Sequence, residues 1–500
     1  MPCAWHRPLL QFGPMGPDRK HETLMARDRS QLIPPTYPEA LDYQALLKEY
    51  QPAAGYVDGV FKMSRDALDA LQNRRFLEQM ERAWRVPFYS RRWRAEGLEP
   101  GDIASLEDIA KLPPFSVYDL RDSLLANSMW ADYIGIDPEH DAPLPLLLQT
   151  SGGTTGLPRP MIFTPRDREV MNILSGRRFY MQGVRPFDLV QITLSLGLTN
   201  GGLLAREGIH KYTGAMAVTT GSGASTPTKR QVELMRAWKV NFLIGFPAYL
   251  RHIAAVARDE FGLDVRDLGL KGLVTHLGLD DAASLEELWG APAFDTYGIN
   301  ECGSIAVESQ HRSGMHVFED AFVMELMDPS TRVLTSDGDK GTMVVTSLFK
   351  HAAPMIRFNT NDVSQFAVGA CPSGSAHRRL TKIFGRSDNM VKLRGVNVFP
   401  EAIGAIVLED ERTNGEYVCI LETTDDSGRE DMTVKVEAAS DEVPRKELAA
   451  ELAARFKEAL SVKLPVEIVD RGSLDTLTGL SSTSKIKRLI DRRAKKEAAA

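Results

Sequence analysis

The sequence predicts an α/β protein with a large N-terminal domain of sheets flanked by helices and a small α+β C-terminal domain. In the first part, short apolar runs alternate with helical stretches, which is the pattern of a largely parallel, buried sheet. After about Gly385 the elements follow in the order helix, strand, strand, helix, strand, which is typical of a separate small core. The chain has 500 residues, too many for one hydrophobic core.

The changes of pattern predict the domain boundaries. Residues 1–35 are rich in Pro, Arg, Asp and His and lack periodicity, so we expect a disordered leader, within which Met25 could equally be the natural start. We expect an N-terminal domain over 36–384, a hinge over 385–388 and a C-terminal domain over 389–500.

Composition argues against several classes of protein. Hydrophobic residues make up 43% and charged residues 25%, which is ordinary for a globular chain, and a net charge of −7 argues against a protein that coats nucleic acid. No apolar run approaches the ~20 residues that span a bilayer. The N-terminus lacks the pattern of a signal peptide. Four separated cysteines without a Cys-x-x-Cys pair fit a reducing compartment. We expect a cytoplasmic protein that binds neither nucleic acid nor membrane.

Within the N-terminal domain, the first strong element is a helix with Ser64 as a plausible N-cap. One face of this helix carries Leu68, Leu71, Phe76, Met80 and Trp84. Further along, four apolar runs predict buried strands over 188–196, 241–247, 271–278 and 293–298. Helices are predicted over 229–238 and 248–258.

The C-terminal domain has its own element order. Its predicted elements are a helix over 400–408, strands over 416–424 and 432–438, a helix over 444–460 and a strand over 465–470. The segment D-D-S-G-R-E-D between the two adjacent strands predicts a turn.

The stretch Q-T-S-G-G-T-T-G-L-P-R-P, Gln149–Pro160, has the residues of a phosphate-binding loop. Glycines let backbone N–H groups turn toward an anion, and hydroxyls add donors. The loop lies between two apolar runs, whereas a P-loop must lead into a helix N-terminus. Taken alone, such a loop is more often an ordinary turn. The candidate residues are Ser151, Gly152, Gly153, Thr154, Thr155 and Gly156.

Three further segments are candidates for ligand contacts, because open α/β sheets bind ligands at strand ends. In D-T-Y-G-I-N-E (295–301), Tyr297 could stack on a base and Glu301 could hold a divalent cation. In M-I-R-F-N-T-N-D-V (355–363), Asp362 could accept both hydroxyls of a ribose. The alternatives are a capped strand end with a surface glutamate and an Asx-turn.

The last of these segments, G-R-S-D-N-M-V-K-L-R-G-V-N-V-F-P (385–400), lies at the predicted domain boundary. It concentrates Arg386, Lys392 and Arg394 around glycines. This suggests a hinge that faces an anionic ligand, although charged linkers are also common.

In this order and spacing, the four segments resemble the acyl-adenylate-forming (AMP-binding) superfamily, and within it the phenylacetate–CoA ligase family. Residues 221–235, 314–329 and 385–400 look like that family's own versions, and L-S-S-T-S-K-I-K-R-L-I-D (480–491) resembles its terminal lysine motif. The resemblance covers about residues 40–495. It implies that an aryl or arylalkanoic acid is joined to AMP with release of pyrophosphate, and that the acyl group then passes to coenzyme A. ATP, Mg²⁺ and coenzyme A are the implied cofactors.

The resemblance implies a role for each segment. The loop residues would wrap the β- and γ-phosphates, Glu301 would carry Mg²⁺, and Asp362 would hold the ribose. Tyr297, next to Gly298, would pack against adenine, and Arg386 would reach the nucleotide from the hinge. Lys485 would bridge the acid carboxylate and the α-phosphate. Without the resemblance, a solvated lysine in a basic tail would be the favoured interpretation of Lys485.

Domain motion is also implied. Asp388 would be the hinge residue around which the small domain, acting as a mobile lid, rotates after adenylation. Rotation would withdraw Lys485 and bring Lys392, Arg394 and Gly395 toward the thiol tunnel, where glycine tolerates close approach.

Several positions depart from the family pattern. Gly152 stands where Ser or Thr is usual, Asn300 replaces Ser or Thr before Glu301 but can still donate to the AMP phosphate, and Ser484 replaces the glycine before Lys485. N-T-N-D (359–362) and L-G-L-D-D (277–281) also differ from the usual versions. None of these changes removes a charged catalytic group, so we expect activity, with an unusual substrate or slow turnover more plausible than in a standard member.

A zinc site of some relatives is expected to be lost. His311, His316, Cys371 and His377 are kept, but Ser309 or Gln310, and Ser373, stand where cysteines would complete four ligands.

The acid should bind beside the loop and the Tyr297 strand. The predicted lining segments are 194–200, 245–249 and 277–279, with Leu198, Phe246, Tyr249 and Gly278 as candidate contacts. These segments hold no lysine or arginine for a second carboxylate, which favours an aryl or arylalkanoic acid. Phe246 and Tyr249 could instead be ordinary core residues.

Two other functions remain open from the sequence. The acyl-AMP could load a carrier protein or another acceptor, or the protein could be a degenerate member that binds nucleotide or acid without turnover. The retained Glu301, Asp362, Arg386 and Lys485 argue against a degenerate member. The expected partners are a small carboxylic acid, ATP and coenzyme A, and a homodimer is possible.

Overall fold

The computed structural model describes residues 32–127, 129–150, 158–278, 280–328, 331–388, 391–393, 396–423, 430–460, 462–479 and 487–493. Most of the predicted leader, the loop residues Ser151–Gly156, the turn between the two C-terminal strands, Arg394, Gly395, Lys485 and the side chain of Lys392 lie outside these residues.

The first described elements are mostly helices that cover one side of the sheets. They are α1 Tyr43–Glu49, α2 Ala53–Asp58, α3 Arg65–Ala83, α4 Pro87–Ala95, β1 Phe115–Ser116 and α5 Val117–Asn127. α3 begins directly after Ser64, whose side chain accepts a hydrogen bond from Ala67 N, so the predicted N-cap is confirmed. Leu68, Phe76 and Met80 are buried on its inner face.

The middle of the chain alternates strands and helices. Its elements are β2 Leu147–Thr150, β3 Pro160–Phe163, α6 Pro165–Met181, β4 Leu189–Ile192, α7 Asn200–Tyr212, β5 Met216–Thr219, α8 Thr228–Trp238, β6 Phe242–Ile244, α9 Pro247–Phe261, β7 Gly272–Thr275, α10 Ala282–Trp289, β8 Ala293–Ile299, β9 Gly303–Glu308 and β10 Met315–Val317. A run of strands follows: β11 Phe322–Met327, β12 Lys340–Ser347, β13 Phe358–Gln365, β14 Arg379–Leu380 and β15 Gly385–Arg386.

The central sheet has the order β14-β10-β9-β8-β7-β6-β4-β5 within the described residues. From β8 to β5 its strands are parallel, as the sequence predicts, but β9, β10 and β14 pair antiparallel. The expectation of a largely parallel sheet is therefore wrong at this edge. The reason is the tight turn in which Ile299 pairs with Gly303, because so short a connection can join only antiparallel strands.

Both faces of the parallel strands are buried, which explains why these strands read as continuous apolar runs. Leu243 and Leu273 pack with residues of α8, α9 and α10, whereas Ile244 and Val274 pack with residues of α6 and α7. The four strands predicted for this sheet are all present; three are shorter than expected, and β8 is one residue longer. For example, 188–196 contains only β4, because the chain leaves the sheet after Ile192.

A second sheet, of order β1-β13-β12-β11 with β15 on β13, was not predicted from the sequence. β13 reads F-N-T-N-D-V-S-Q, and its polar residues hide the strand pattern. This strand nevertheless carries Asp362 and pairs it with Arg386 of β15.

The C-terminal elements form a separate hydrophobic cluster. They are β16 Val391–Leu393, β17 Val396–Val398, α11 Ile403–Leu408, β18 Thr413–Thr423, β19 Glu430–Ala438, α12 Arg445–Leu460, β20 Val466–Val469, α13 Asp475–Thr478 and β21 Leu489–Asp491. The sheet order is β20-β19-β18-β21, so the predicted helix–strand–strand–helix–strand order is confirmed. The hairpin β16–β17, α13 and β21 were missed because elements of three or four residues carry no period. Among the described helices, none has both the length and the apolarity to cross a bilayer.

Candidate active site

The predicted phosphate-binding loop connects two antiparallel strands. β2 pairs with β3, and Thr150 lies opposite Pro160, so the expected strand–loop–strand arrangement is confirmed. The six loop residues themselves lie outside the described residues. Thr150 N donates to Leu198 O over 2.9 Å. The loop therefore starts beside the segment 194–200 that was predicted to contact the acid.

Glu301 follows β8 at the carboxyl edge of the sheet and contacts two cations. Its carboxylate forms an ion pair with Arg159, and its carbonyl oxygen accepts a hydrogen bond from Lys350 Nζ over 2.7 Å. Burial alone would lower the pKa of Arg159, but the Glu301 charge raises it. Burial lowers the pKa of Lys350. A carboxylate in this position suits Mg²⁺, which prefers oxygen ligands, and the metal would share it with Arg159.

Asn300 is held by Asn200, the first residue of α7. Asn200 N lies 3.4 Å from Asn300 Oδ1, and Asn200 Nδ2 donates to Asn300 O over 3.2 Å. Asn200 Oδ1 accepts from the buried Arg168. Since Asn300 Oδ1 serves as an acceptor, Nδ2 is the group that can face a phosphate.

Tyr297, Asp362, Arg386 and Asp388, here named the Asp362 cluster, come together from segments far apart in sequence. Tyr297 Oη donates to Asp362 Oδ2 over 2.7 Å. Arg386 Nη1 donates to Asp362 Oδ1 over 3.3 Å, and its Nε and Nη2 donate to Asp388 over 2.8 and 2.7 Å. The residues predicted to contact adenine and ribose and to form the hinge thus share one hydrogen-bonded network.

The protonation states of this cluster follow from burial and charge. Burial raises the pKa of Tyr297, and the adjacent Asp362 raises it further, so the phenol keeps its proton and donates. Burial alone would lower the pKa of Arg386, but hydrogen bonds to Asp388 and the charges of Asp362 and Asp388 raise it. The charges of the cluster are paired within it, because Arg386 bonds both Asp362 and Asp388. A ribose can bind Asp362 by replacing one of its present donors.

Arg178, Phe246 and His276, here named the His276 cluster, lie on the α6 and α7 side of the parallel strands. The rings of Phe246 and His276 have centroids 5.8 Å apart and an interplanar angle of 31°. Thr296 Oγ1 lies 3.4 Å from His276 Nδ1. Burial and the charge of Arg178 lower the pKa of His276 to about 4, so the ring is neutral at neutral pH.

The other predicted acid contacts behave differently from Phe246. Tyr249 packs against α8 and α10 on the opposite face, and its Oη accepts from Gln231 Nε2 over 3.0 Å and lies 3.1 Å from Thr228 Oγ1. These contacts agree with the alternative interpretation that Tyr249 is an ordinary core residue. Leu198 is 63% exposed. Gly278 has φ +61°, and a Cβ there would have no neighbour within 4 Å.

Asp295, at the start of the Tyr297 motif, is a buried carboxyl group that ties two strand ends together. Its Oδ1 accepts from Leu277 N and Thr296 N, each over 2.8 Å. Burial raises the pKa of Asp295 to about 7, the two backbone donors oppose the rise, and the charge of Glu308 adds to it. The segment 277–281, which departs from the family pattern, is therefore anchored to the Tyr297 strand.

The candidate zinc residues contact each other only in part. His316 Nε2 lies 3.1 Å from Cys371 Sγ, and Ser373 Oγ lies 2.9 Å from the same sulfur. His377 Nδ1 instead lies 2.9 Å from Val317 O. Within the described ranges there is no group of three or more His, Cys, Asp or Glu side chains arranged to hold a metal ion.

Sequence reasoning missed Arg159, Lys350 and Arg178, and it did not single out Asn200 within the predicted segment 194–200. Arg159 stands at the end of the quoted loop stretch, and a basic residue beside a phosphate-binding loop was a usable signal. Lys350 and Arg178 lie outside the predicted motifs and reach the site only through the packing of β12, α6 and the central sheet.

Comparison with known sequences shows which proteins the chain is similar to. Residues 395–493 match the family model of the AMP-binding enzyme C-terminal domain. The chain is 30% identical over 459 residues to the phenylacetate-coenzyme A ligase of Aromatoleum evansii, which covers 89% of this chain and 99% of that protein. It is 31% identical over 448 residues to the phenylacetate-coenzyme A ligase of Pseudomonas putida, with 87% and 97% coverage.

Solved structures of similar fold include 2-hydroxyisobutyryl-CoA ligase. Its postadenylation state in complex with 2-HIB-AMP has a TM-score of 0.75 and 27% identity, covering 86% of this chain and 90% of that chain. Its thioesterification state with 2-HIB-AMP and CoA has a TM-score of 0.63 and 28% identity, covering 86% and 91%. The mixed α/β fold with a small C-terminal domain is therefore the fold of adenylate-forming CoA ligases.

Proposed function

The chain belongs to the phenylacetate–coenzyme A ligase family of adenylate-forming enzymes, and from this premise we propose that it is an ATP-dependent acid–CoA ligase for an aryl or arylalkanoic acid. The observation that carries the proposal is the Asp362 cluster, which gathers the predicted adenine, ribose and hinge residues into one network at the edge of the sheet. Relatives differ in the acid they use, since 2-hydroxyisobutyrate is the acyl group of one similar structure, so the aryl acid is the finer part of the proposal.

In the first half-reaction, the acid carboxylate attacks the α-phosphorus of ATP, and pyrophosphate leaves. Two anions must approach each other, so positive groups have to be in place before the reaction. Lys485 would lie between the carboxylate and the α-phosphate, Asn300 Nδ2 would donate to that phosphate, and the loop residues would hold the β- and γ-phosphates. Glu301 would hold Mg²⁺, which offsets the phosphate charge.

The Asp362 cluster would bind the nucleoside. Asp362 accepts the ribose hydroxyls, and the buried Tyr297 presents its ring to adenine beside Gly298. Because Arg386 bonds both Asp362 and Asp388, the nucleoside-binding residue is connected directly to the predicted hinge.

In the second half-reaction, the coenzyme A thiolate attacks the acyl carbonyl, and AMP leaves. Rotation of the C-terminal domain about Asp388 would remove Lys485 and bring Lys392, Arg394 and Gly395 to the thiol. The higher TM-score with the postadenylation state than with the thioesterification state of 2-hydroxyisobutyryl-CoA ligase supports the existence of two distinct arrangements in this fold.

The test is pyrophosphate release by the purified protein with ATP and Mg²⁺ across a panel of aryl acids, with and without coenzyme A. We expect acid-dependent release that is accompanied by coenzyme A consumption. Release without coenzyme A consumption would point to a carrier protein or another acceptor. No release with any acid would contradict adenylation altogether, and a reaction without acid gives the background.

A further inference from the structure

Arg178 is a buried arginine of α6, the helix beside the predicted acid-binding site, and its side chain has no hydrogen-bond or ion-pair partner among the described residues. It is 7% exposed, its Nε has no acceptor, and burial lowers its pKa to about 10 without any described charge to oppose the shift. The other buried arginines of the described residues each contact an acceptor. Examples are Arg177 on Asp320, Arg357 on Glu325 and Arg379 on Ser313 O. A buried cation without a partner is costly, so a ligand that brings an acceptor to Arg178 would be stabilised there.

The position of Arg178 is given by how α6 runs along β9. Met181 O, at the end of α6, accepts from Gln310 N, just past the end of β9. In β9, Val307 pairs with Thr296 of β8. Because Gln310 lies three residues beyond Val307, the end of α6 packs beside the start of β8. The preceding turn of α6, which carries Arg178, lies nearer the level of Thr296, whose Oγ1 lies 3.4 Å from His276.

Side chains on a helix lean toward its N-terminus, so the Arg178 side chain is expected to lean along α6 toward the ligand edge of the sheet. The first turn of α6 lies at that edge, because Arg168 donates to Asn200 Oδ1 and Asn200 Nδ2 donates to Asn300 O. The Arg178 Cζ lies 4.2 Å from the centroid of the Phe179 ring, in the hydrophobic cluster against which Phe246 packs. The Arg178 charge lowers the pKa of His276, whose ring lies beside that of Phe246.

We propose that Arg178 binds a second, anionic group of the acid substrate, so that the enzyme activates an aryl acid that carries an additional carboxylate. This deepens the proposed function and rests on it. One carboxylate reacts at the phosphate end, while the other forms a charge-assisted hydrogen bond with Arg178. The lining segments 194–200, 245–249 and 277–279 suggested an apolar pocket without a basic residue. Arg178, on α6, would supply the basic residue that these segments lack.

The composition of the His276 cluster favours an anionic group of the substrate over a cationic or an apolar one. A neutral His276 can donate one hydrogen bond and carries no negative charge that would repel an anion. Phe246 provides an apolar surface against which the aryl ring can pack. Glu301 and Asp362, the acidic residues predicted to contact substrate, already have cationic partners in Arg159 and Arg386. The fixed positive charge of Arg178 therefore stays available for the substrate.

The first experiment measures pyrophosphate release by the wild-type enzyme with matched acids. Phenylacetate is compared with its 2-, 3- and 4-carboxy derivatives and its hydroxy derivatives, and benzoate with the three benzenedicarboxylates. We expect at least one dicarboxylic acid to exceed its parent acid about 10²-fold in kcat/KM, the scale of a buried charge pair. Equal or better use of the unsubstituted or hydroxylated acids overturns the role of Arg178 while leaving the ligase function intact. If no acid releases pyrophosphate, the ligase function itself fails.

The second experiment uses Arg178→Met and Arg178→Lys, with Arg185→Met, at an exposed position in the segment that follows the same helix, as the control. Arg178→Met should lower kcat/KM for the dicarboxylic acid far more than for the parent acid, so that the ratio of the two constants falls by about 10²-fold. Arg178→Lys should retain part of the preference. Equal slowing of both acids in both variants would show a structural role and contradict the proposal. If Arg178→Met does not fold, the lysine variant and the wild-type comparison decide.

Discussion

Arg386 in the Asp362 cluster contacts two carboxylates, whereas Arg178 in the His276 cluster contacts none among the described residues. Both side chains belong to the proposed active site, yet one guanidinium is neutralised by the protein and the other is not. The difference indicates how each of the two clusters would bind its ligand. At the Asp362 cluster, a nucleoside exchanges with hydrogen bonds that already exist. At the His276 cluster, a ligand adds an interaction that the protein lacks.

This comparison has an energetic consequence. Exchange of one charge-assisted hydrogen bond for another yields a modest net gain, so the Asp362 cluster favours orientation and coupling to the hinge. Pairing an isolated buried charge offsets a large desolvation cost. The His276 cluster would therefore discriminate between acids that carry a second anionic group and acids that do not. Three further substitutions test this division.

The largest effect is expected from Lys485→Ala. Lys485 is predicted to act at the reacting atoms, between the two clusters, so its loss should reduce acid-dependent pyrophosphate release by roughly 10²-fold or more. Thioester formation from a preformed acyl-AMP should change little, because the proposed domain rotation would withdraw the lysine for that step. Lys487→Ala is the control, and stopped-time assays of the two half-reactions make the measurement. Equal loss in both half-reactions would argue against domain alternation.

A smaller effect is expected from Asp362→Asn. The neutral amide loses the charge that the ribose hydroxyls and Arg386 share, so KM for ATP should rise roughly tenfold. KM for the acid should stay unchanged if the two clusters act independently. Steady-state kinetics with each substrate varied in turn gives both constants, and Asp339→Asn, in an exposed turn, is the control. A parallel change in KM for the acid would show that the clusters are coupled.

The effect expected from Asp295→Asn is on stability rather than on turnover, and it depends on pH. The pKa of Asp295 is about 7 in the folded protein and about 3.9 for a free aspartate, so the folded state holds a proton that the unfolded state loses over this range. The stabilising contribution is present below about pH 4 and is lost as the pH rises to about 7. The asparagine variant, neutral throughout, should therefore gain stability relative to wild type at high pH.

Urea denaturation at pH 5 and pH 8 measures this change. The difference between variant and wild type should be on the order of 2 kcal/mol more favourable to the variant at pH 8 than at pH 5. Asp267→Asn, at an exposed position, should show the same difference at both pH values. A pH-independent effect at Asp295 would mean that its carboxyl group is ionised in the folded protein.

Much of the fold could be predicted from the sequence. The parallel strands β4 and β6–β8 are buried on both faces, so each reads as an apolar run, and helices α3, α8, α9 and α12 show a helical period. β13 could not be predicted, because N-T-N-D places polar side chains where a strand pattern should alternate. The hairpin β16–β17 and β21 were too short to carry any period.

For the site, the sequence by itself determined which residue types are present and in what order: a Ser/Thr/Gly loop, Tyr297 and Glu301 after one strand, Asp362 near another, and Arg386 at a boundary. Their joint pattern was enough to indicate an adenylate-forming enzyme. Only the tertiary structure decided which of them touch. It brought Asp362 and Arg386 together through the pairing of β13 with β15, placed Arg159 on Glu301, and turned Phe246 and Tyr249 to opposite faces of the sheet.

Arg178 shows the physical reason most clearly. Its role depends on having no partner, and the absence of a partner is a property of the space around a side chain and not of its neighbours along the chain. Helix α6 contains several arginines. The sequence does not show that Arg177 has a carboxylate partner while Arg178, the next residue, has none among the described residues. Packing of α6 against β9 separates the two.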